Sequence, residues 1–165
     1  MKKYQRECAL NFIKAKTSKG GDMYSDYEEF YDDYNEDCFD DWLKEQPKIT
    51  DTIYRGYRTD YERYKAMDIK IGKIVEPRDL YNWYHPSFTT SPLRAINYMN
   101  DYDVYTDEYV RLLFHVECKG LYCVDIHEYS VYPEENEHVF INDARLEITN
   151  IRERGHSIDI YLREV

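Results

Sequence analysis

No stretch of this 165-residue chain approaches the roughly 20 consecutive apolar residues of a membrane-spanning helix, so no transmembrane segment is expected. No apolar core follows the basic N-terminal residues, so no secretory signal is expected either. The four cysteines, Cys8, Cys38, Cys118 and Cys123, form no C-x-x-C pair, and no histidine pair stands at zinc-finger spacing. Without an export signal they read as reduced thiols acting as small hydrophobes, and the expected compartment is the cytoplasm. His85, His115, His127, His138 and His156 are scattered, and no ligand spacing calls for a metal. Basic excess is also missing. With 22 basic against 33 acidic residues and a formal charge of -11, the chain lacks the broad cationic face that duplex nucleic acid requires. Internal repeats and low-complexity linkers are absent as well.

What the chain has in abundance is tyrosine, 19 residues of it, within an aromatic content of 16% that excludes a fully disordered polyelectrolyte. The acidity is concentrated. Residues 22–45 hold eleven acids and one base, Lys44, for a local charge of -10, which leaves the remainder near neutral. In the same segment Tyr27, Phe30, Tyr31, Tyr34, Cys38, Phe39, Trp42 and Leu43 recur at helical spacing. This is either a solvated acidic face over an aromatic core stripe or a patch that attracts a basic partner. Residues 2–16 form a second, basic helical pattern that the T-S-K-G-G of residues 17–21 ends.

From Thr52 onward short strands are expected: 53–57, 70–76, 109–117, 121–127, 138–149 and 157–164, with a helical turn at 78–84. A helix is expected at 92–101, with Ser91 as its N-cap and Pro92 in its first position. The order gives an α+β fold: N-terminal helices to residue 48, then a two-sheet mixed β core over 49–165 curled around a cleft, all in one domain.

Three short motifs carry candidate chemistry. Tyr54-Arg55-Gly56 ends an apolar strand: a guanidinium binds phosphate or carboxylate through paired hydrogen bonds, and a glycine admits a ligand to the backbone. The bland alternative is a surface arginine. Phe88-Thr89-Thr90-Ser91 sets three hydroxyls at a strand-to-helix junction, where they either cap the helix or shape a pocket wall and fix a carboxylate. Tyr132-Pro133-Glu134-Glu135-Asn136-Glu137 places Glu135 and Glu137 at i and i+2, on one face if the chain is extended there. Close carboxylates raise one another's proton affinity, though acidic turns are also common at surfaces.

An arginine, a hydroxyl triplet and a Glu-x-Glu, in that order between residues 52 and about 142, resemble the mono-ADP-ribosyltransferases of the Arg–Ser–Glu, cholera-toxin-like class. The segment IKIGKIVEPRDLYNWYHPSFTTSP is similar to the stretch leading into that family's Ser-Thr-Ser motif, and the size is similar to bacteriophage members that modify host proteins. The resemblance implies NAD as substrate, no metal and no membrane. It implies that Arg55 contacts the NAD phosphates and that the Gly56 backbone meets the nicotinamide carboxamide. Phe88, Thr90 and Ser91 belong to the cofactor wall. Thr89 orients the catalytic glutamate, Glu137, which holds the ribose 2′-hydroxyl. Glu135 serves a protein arginine as acceptor, with Glu134 open to the same role, and Tyr132 lies in the substrate-recognition loop. Two departures stand out: the triplet opens with Thr, not Ser, and His138 follows Glu137 where the family continues with apolar residues. The chemistry is consistent with this, because breaking the nicotinamide–ribose bond builds positive charge that a carboxylate stabilises. An NAD glycohydrolase, a nucleic-acid ADP-ribosyltransferase and an acidic, non-catalytic binding protein remain as alternatives.

Overall fold

Strand pairing places the site. In the computed structural model, which describes residues 6–7, 9–11, 13, 33–80, 85–100, 109–130 and 132–165, the elements are α1 (Asp33–Glu45), β1 (Thr52–Asp60), α2 (Tyr61–Met67), β2 (Ile74–Val75), β3 (Phe88–Thr89), α3 (Pro92–Asn100), β4 (Tyr109–Glu117), β5 (Cys123–Asp125), β6 (Glu137–Phe140), β7 (Leu146–Arg154) and β8 (Ser157–Glu164). Single 3-10 turns lie at Pro77–Asp79, His127–Tyr129 and Pro133–Glu135. Residues 6–7, 9–11 and 13 are helical, in line with the basic helix expected near the start. The acidic stretch 22–32, the end of the turn expected at 78–84 and Asp101 lie outside the described residues.

The α+β class holds, and the strands form one ladder in the order β2-β7-β8-β4-β1-β3-β6-β5. The two sheets expected from the sequence are its two parts. A five-stranded part ends at β1, a three-stranded part begins at β3, and a single register pair, Tyr54 opposite Thr89, joins them. β4 and β8 run parallel and the other neighbours antiparallel. The two parts face each other across the main core, where Ile53, Leu112, Phe114, Ile148 and Ile160 meet Phe88, Cys123 and Phe140. Phe88 and Phe140 touch edge to face at 5.2 Å. The outer face of the three-stranded part is covered by Ala9, Ile13 and the Phe39, Trp42 and Leu43 stripe of α1 against Val124, Ile126 and Val139. The outer face of the five-stranded part carries α3, through Ala95 and Met99 on Leu113.

Several expectations change in detail. The strand expected at 138–149 is two strands, β6 and β7, because Asn142 and Asp143 turn between them and the Asn142 N–H donates to Asp40 Oδ1 of α1 at 2.6 Å. The strand expected at 70–76 keeps only Ile74 and Val75: Gly72 has φ 85° and the Lys73 N–H bonds Lys70 O, so the first half is a turn. α2 was not expected at all. Asp60 caps it by accepting from the Arg63 N–H at 2.8 Å, and Asp68 ends it in the left-handed region. The residues 109–117 and 157–164 are strands over the spans expected.

Candidate active site

The junction of the two sheet parts assembles the site. Tyr54 lies opposite Thr89, and Thr89 opposite Glu137, so three neighbouring strands place these residues in one row. Directly opposed residues project from the same face of a sheet. Arg55 follows Tyr54, and its guanidinium Nη1 donates to the carbonyl oxygen of Ser87. The Ser87 hydroxyl in turn donates to Glu137 Oε1. A single serine therefore links the strand arginine to the strand glutamate, 82 residues apart in the chain. Glu137 is only 5% exposed, and a carboxylate so buried needs such donors.

Ser87 was not among the residues expected here. The resemblance gives the orienting hydroxyl to Thr89. In the structure Thr89 Oγ1 instead accepts the Ser91 N–H at 3.1 Å, which turns it into the local bend that starts α3. Ser91 fulfils its expected capping role, its hydroxyl accepting the Arg94 N–H at 3.2 Å. Thr90 sits half-buried between the two. Phe88, expected on the cofactor wall, is a core residue packed on Phe140, because β3 turns it inward. Gly56 is required by packing. A Cβ there would stand 1.8 Å from the Ala95 carbonyl oxygen and 2.9 Å from Met99 Cβ, so its missing side chain lets α3 seat directly on β1.

Glu135 and Glu137 do not share an extended strand. Glu135 closes the 3-10 turn Pro133–Glu135, and Asn136 follows in the left-handed region at φ 48° before β6 begins with Glu137. His138, the departure from the family pattern, contributes here. Its Nδ1 lies 2.6 Å from Asn136 O, and since a carbonyl only accepts, Nδ1 carries the proton. His138 Nε2 faces Asp125 Oδ2 at 3.8 Å. The turn separating the two glutamates is thus pinned from β6, which pairs regularly with β3 on one side and β5 on the other. Glu135 Oε1 accepts from the Tyr98 hydroxyl of α3 at 3.0 Å, while Glu134 is exposed. Tyr132, half-buried, opens this turn, and its N–H donates to Ser130 Oγ at 3.1 Å.

Two buried carboxylates support the site from behind. Glu164, at the end of β8 and 3% exposed, accepts the backbone N–H groups of Lys119, Leu121, Tyr122 and Cys123 at 2.6 to 3.0 Å, which fixes the entry into β5. Asp40 joins α1 to the β6–β7 turn and stands 3.5 Å from the fully buried His85. Burial pushes the Asp40 carboxyl up, but hydrogen bonding with His85, Lys44 and the Asn142 N–H outweighs it and holds the group at about 2. Cys38, Cys118 and Cys123 are buried free thiols, and burial beside Cys118 drives Cys123 well above the usual thiol range. No described helix is long and apolar enough to cross a membrane.

No protein-family model and no curated protein matches the chain. Solved structures do. The Vis toxin, an ADP-ribosyltransferase from Vibrio splendidus, solved with the inhibitor M6, superposes with a TM-score of 0.68 at 20% identity, over 99% of this chain and 73% of that one. Vis in complex with agmatine gives 0.61 at 20% identity, over 98% and 68%. The ADP-ribosyltransferase domain of Salmonella SpvB gives 0.63 at 13% identity, over 99% and 100%. The chain therefore has the fold of the ADP-ribosyltransferases. These are bacterial proteins, and nothing in them supports a bacteriophage placement.

Proposed function

We propose that this protein is an NAD-dependent mono-ADP-ribosyltransferase whose acceptor is an arginine of another protein. The observation that carries the reading is the meeting of Arg55 and Glu137 on Ser87. It sets a guanidinium, suited to a pyrophosphate, beside a buried carboxylate, suited to a ribose hydroxyl. That donor set fits NAD, which supplies the ADP-ribosyl group and releases neutral nicotinamide. Arg55 binds and orients the phosphates. Glu137, held by Ser87, accepts from the ribose 2′-hydroxyl and stabilises positive charge growing at the anomeric carbon. The C1′–nicotinamide bond breaks, and a bond forms from C1′ to a guanidinium nitrogen of the acceptor. Glu135 binds that cationic group and takes the proton it releases.

The arginine acceptor is supported by the second glutamate one turn before Glu137 and by agmatine, a guanidinium compound, in complex with the similarly folded Vis. The experiment is intact-mass measurement of agmatine and of arginine-bearing proteins after incubation with the chain and NAD. One ADP-ribose added per acceptor, with nicotinamide released in equal amount, is the expected result. Nicotinamide release with no modified acceptor would leave a glycohydrolase, and modification of RNA alone would overturn the acceptor assignment.

A further inference from the structure

We propose that Tyr98 is a positioning residue that sets acceptor recognition by holding the Glu135 carboxylate in place before the acceptor arrives. This deepens the transferase reading and rests on it. Tyr98 lies on α3, three residues after Ala95, the residue whose carbonyl packs against Gly56. Ala95 and Met99 face inward, and Tyr98 is 45% exposed on the outer side. Its hydroxyl reaches across 37 positions of sequence to Glu135 Oε1 at 3.0 Å. The carboxylate can only accept, so the phenol donates.

The geometry around Glu135 shows why one hydrogen bond matters. Its backbone is already fixed by the 3-10 turn, with the Glu135 N–H on Tyr132 O at 3.0 Å and the Asn136 N–H on Pro133 O at 3.1 Å. Its side chain is long and rotamer-rich and stands at a half-exposed position, so a donor on a packed helix narrows its choice of rotamer. Tyr98 ties that side chain to a helix seated on β1, the strand that carries Arg55. The distance from the acceptor carboxylate to the NAD-binding groups is then set by packed elements and not by a loop. A ligand entering between Glu135 and Glu137 meets a carboxylate already fixed in position.

The test uses the full chain with NAD and agmatine, comparing the unmodified protein, Tyr98→Phe, Glu135→Ala and the double variant. Phe keeps the ring and removes only the donor. Tyr98→Phe is expected to raise the KM for agmatine about tenfold, with the KM for NAD within about twofold of the original. In the Glu135→Ala background, where no side-chain acceptor remains, the same substitution is expected to add nothing, since its effect acts through that carboxylate. An unchanged agmatine KM in Tyr98→Phe, an equal rise for NAD and agmatine, or a full tenfold effect in the Glu135→Ala background would each overturn the proposal. Absence of any nicotinamide release by the unmodified chain would overturn the transferase reading, and this proposal with it.

Discussion

In the five-stranded part of the sheet, β1, β4 and β7 each run nine residues and β8 runs eight, pairing along nearly their whole length. In the three-stranded part, β3, β5 and β6 have two, three and four residues. Yet Glu137, Thr89 and, just before β3, the Ser87 that joins Glu137 to Arg55 all belong to the short part. Strands of that length contribute few ladder bonds and cannot hold a buried carboxylate such as Glu137 in place by pairing alone. The difference is made up by polar groups reaching in from outside. Glu164 gathers four backbone donors ahead of β5, Asp40 ties α1 to the turn after β6, and the β1 arginine reaches the serine just before β3. The long part is held by extended ladders and apolar burial, and the short part adds buried carboxylates to its apolar packing. The candidate active site lies where the two parts meet, at the pair Tyr54–Thr89.

This contrast can be broken most severely at Glu164. Glu164→Ala strands four donors at once and should cost about 4 kcal/mol in urea unfolding. Ile160→Val, a one-methyl deletion in the core of the long part, should cost about 1 kcal/mol. Equal losses would mean that the carboxylate is incidental. The next effect is at Asp40. Its carboxyl lies at about 2 against an ordinary 3.8, so ionised Asp40 contributes about 2 kcal/mol at neutral pH. Because the folded value is depressed, this contribution is fully present above the ordinary carboxylate range and fades as pH falls from about 4 through about 2. Asp40→Asn should accordingly lose about 2 kcal/mol at pH 7, and unfolding curves of the two proteins should converge in acid. A gap that persists at pH 2 would assign the loss to packing.

The long part was legible in the sequence and the short part only partly so, for the same physical reason. β4 and β8 are apolar runs whose boundaries follow from side-chain pattern alone. Ser91 and Pro92 announce α3 by local cap chemistry. The split between β6 and β7 depends on Asp40, a hundred residues away, and no local pattern encodes it. Arg55 and Glu137 could be named from their motif, but the serine between them could not. Ser87 stands just outside the Thr89-Thr90-Ser91 triplet, and only the fold shows that its hydroxyl reaches Glu137 while that of Thr89 serves the bend. Its signal was a further hydroxyl two positions before Thr89, on the same side of an extended chain. Tyr98 gave no signal, because its partner lies across a turn that reads as exposed acid.

The smallest change to the fold should have the largest effect on the chemistry. Glu137→Gln keeps an oxygen able to accept from Ser87 and removes only the charge. Measured with labelled NAD and agmatine, this variant should melt within a few degrees of the unmodified protein and transfer ADP-ribose at least about a hundredfold more slowly. Transfer at the unmodified rate by a folded Glu137→Gln protein would contradict the account.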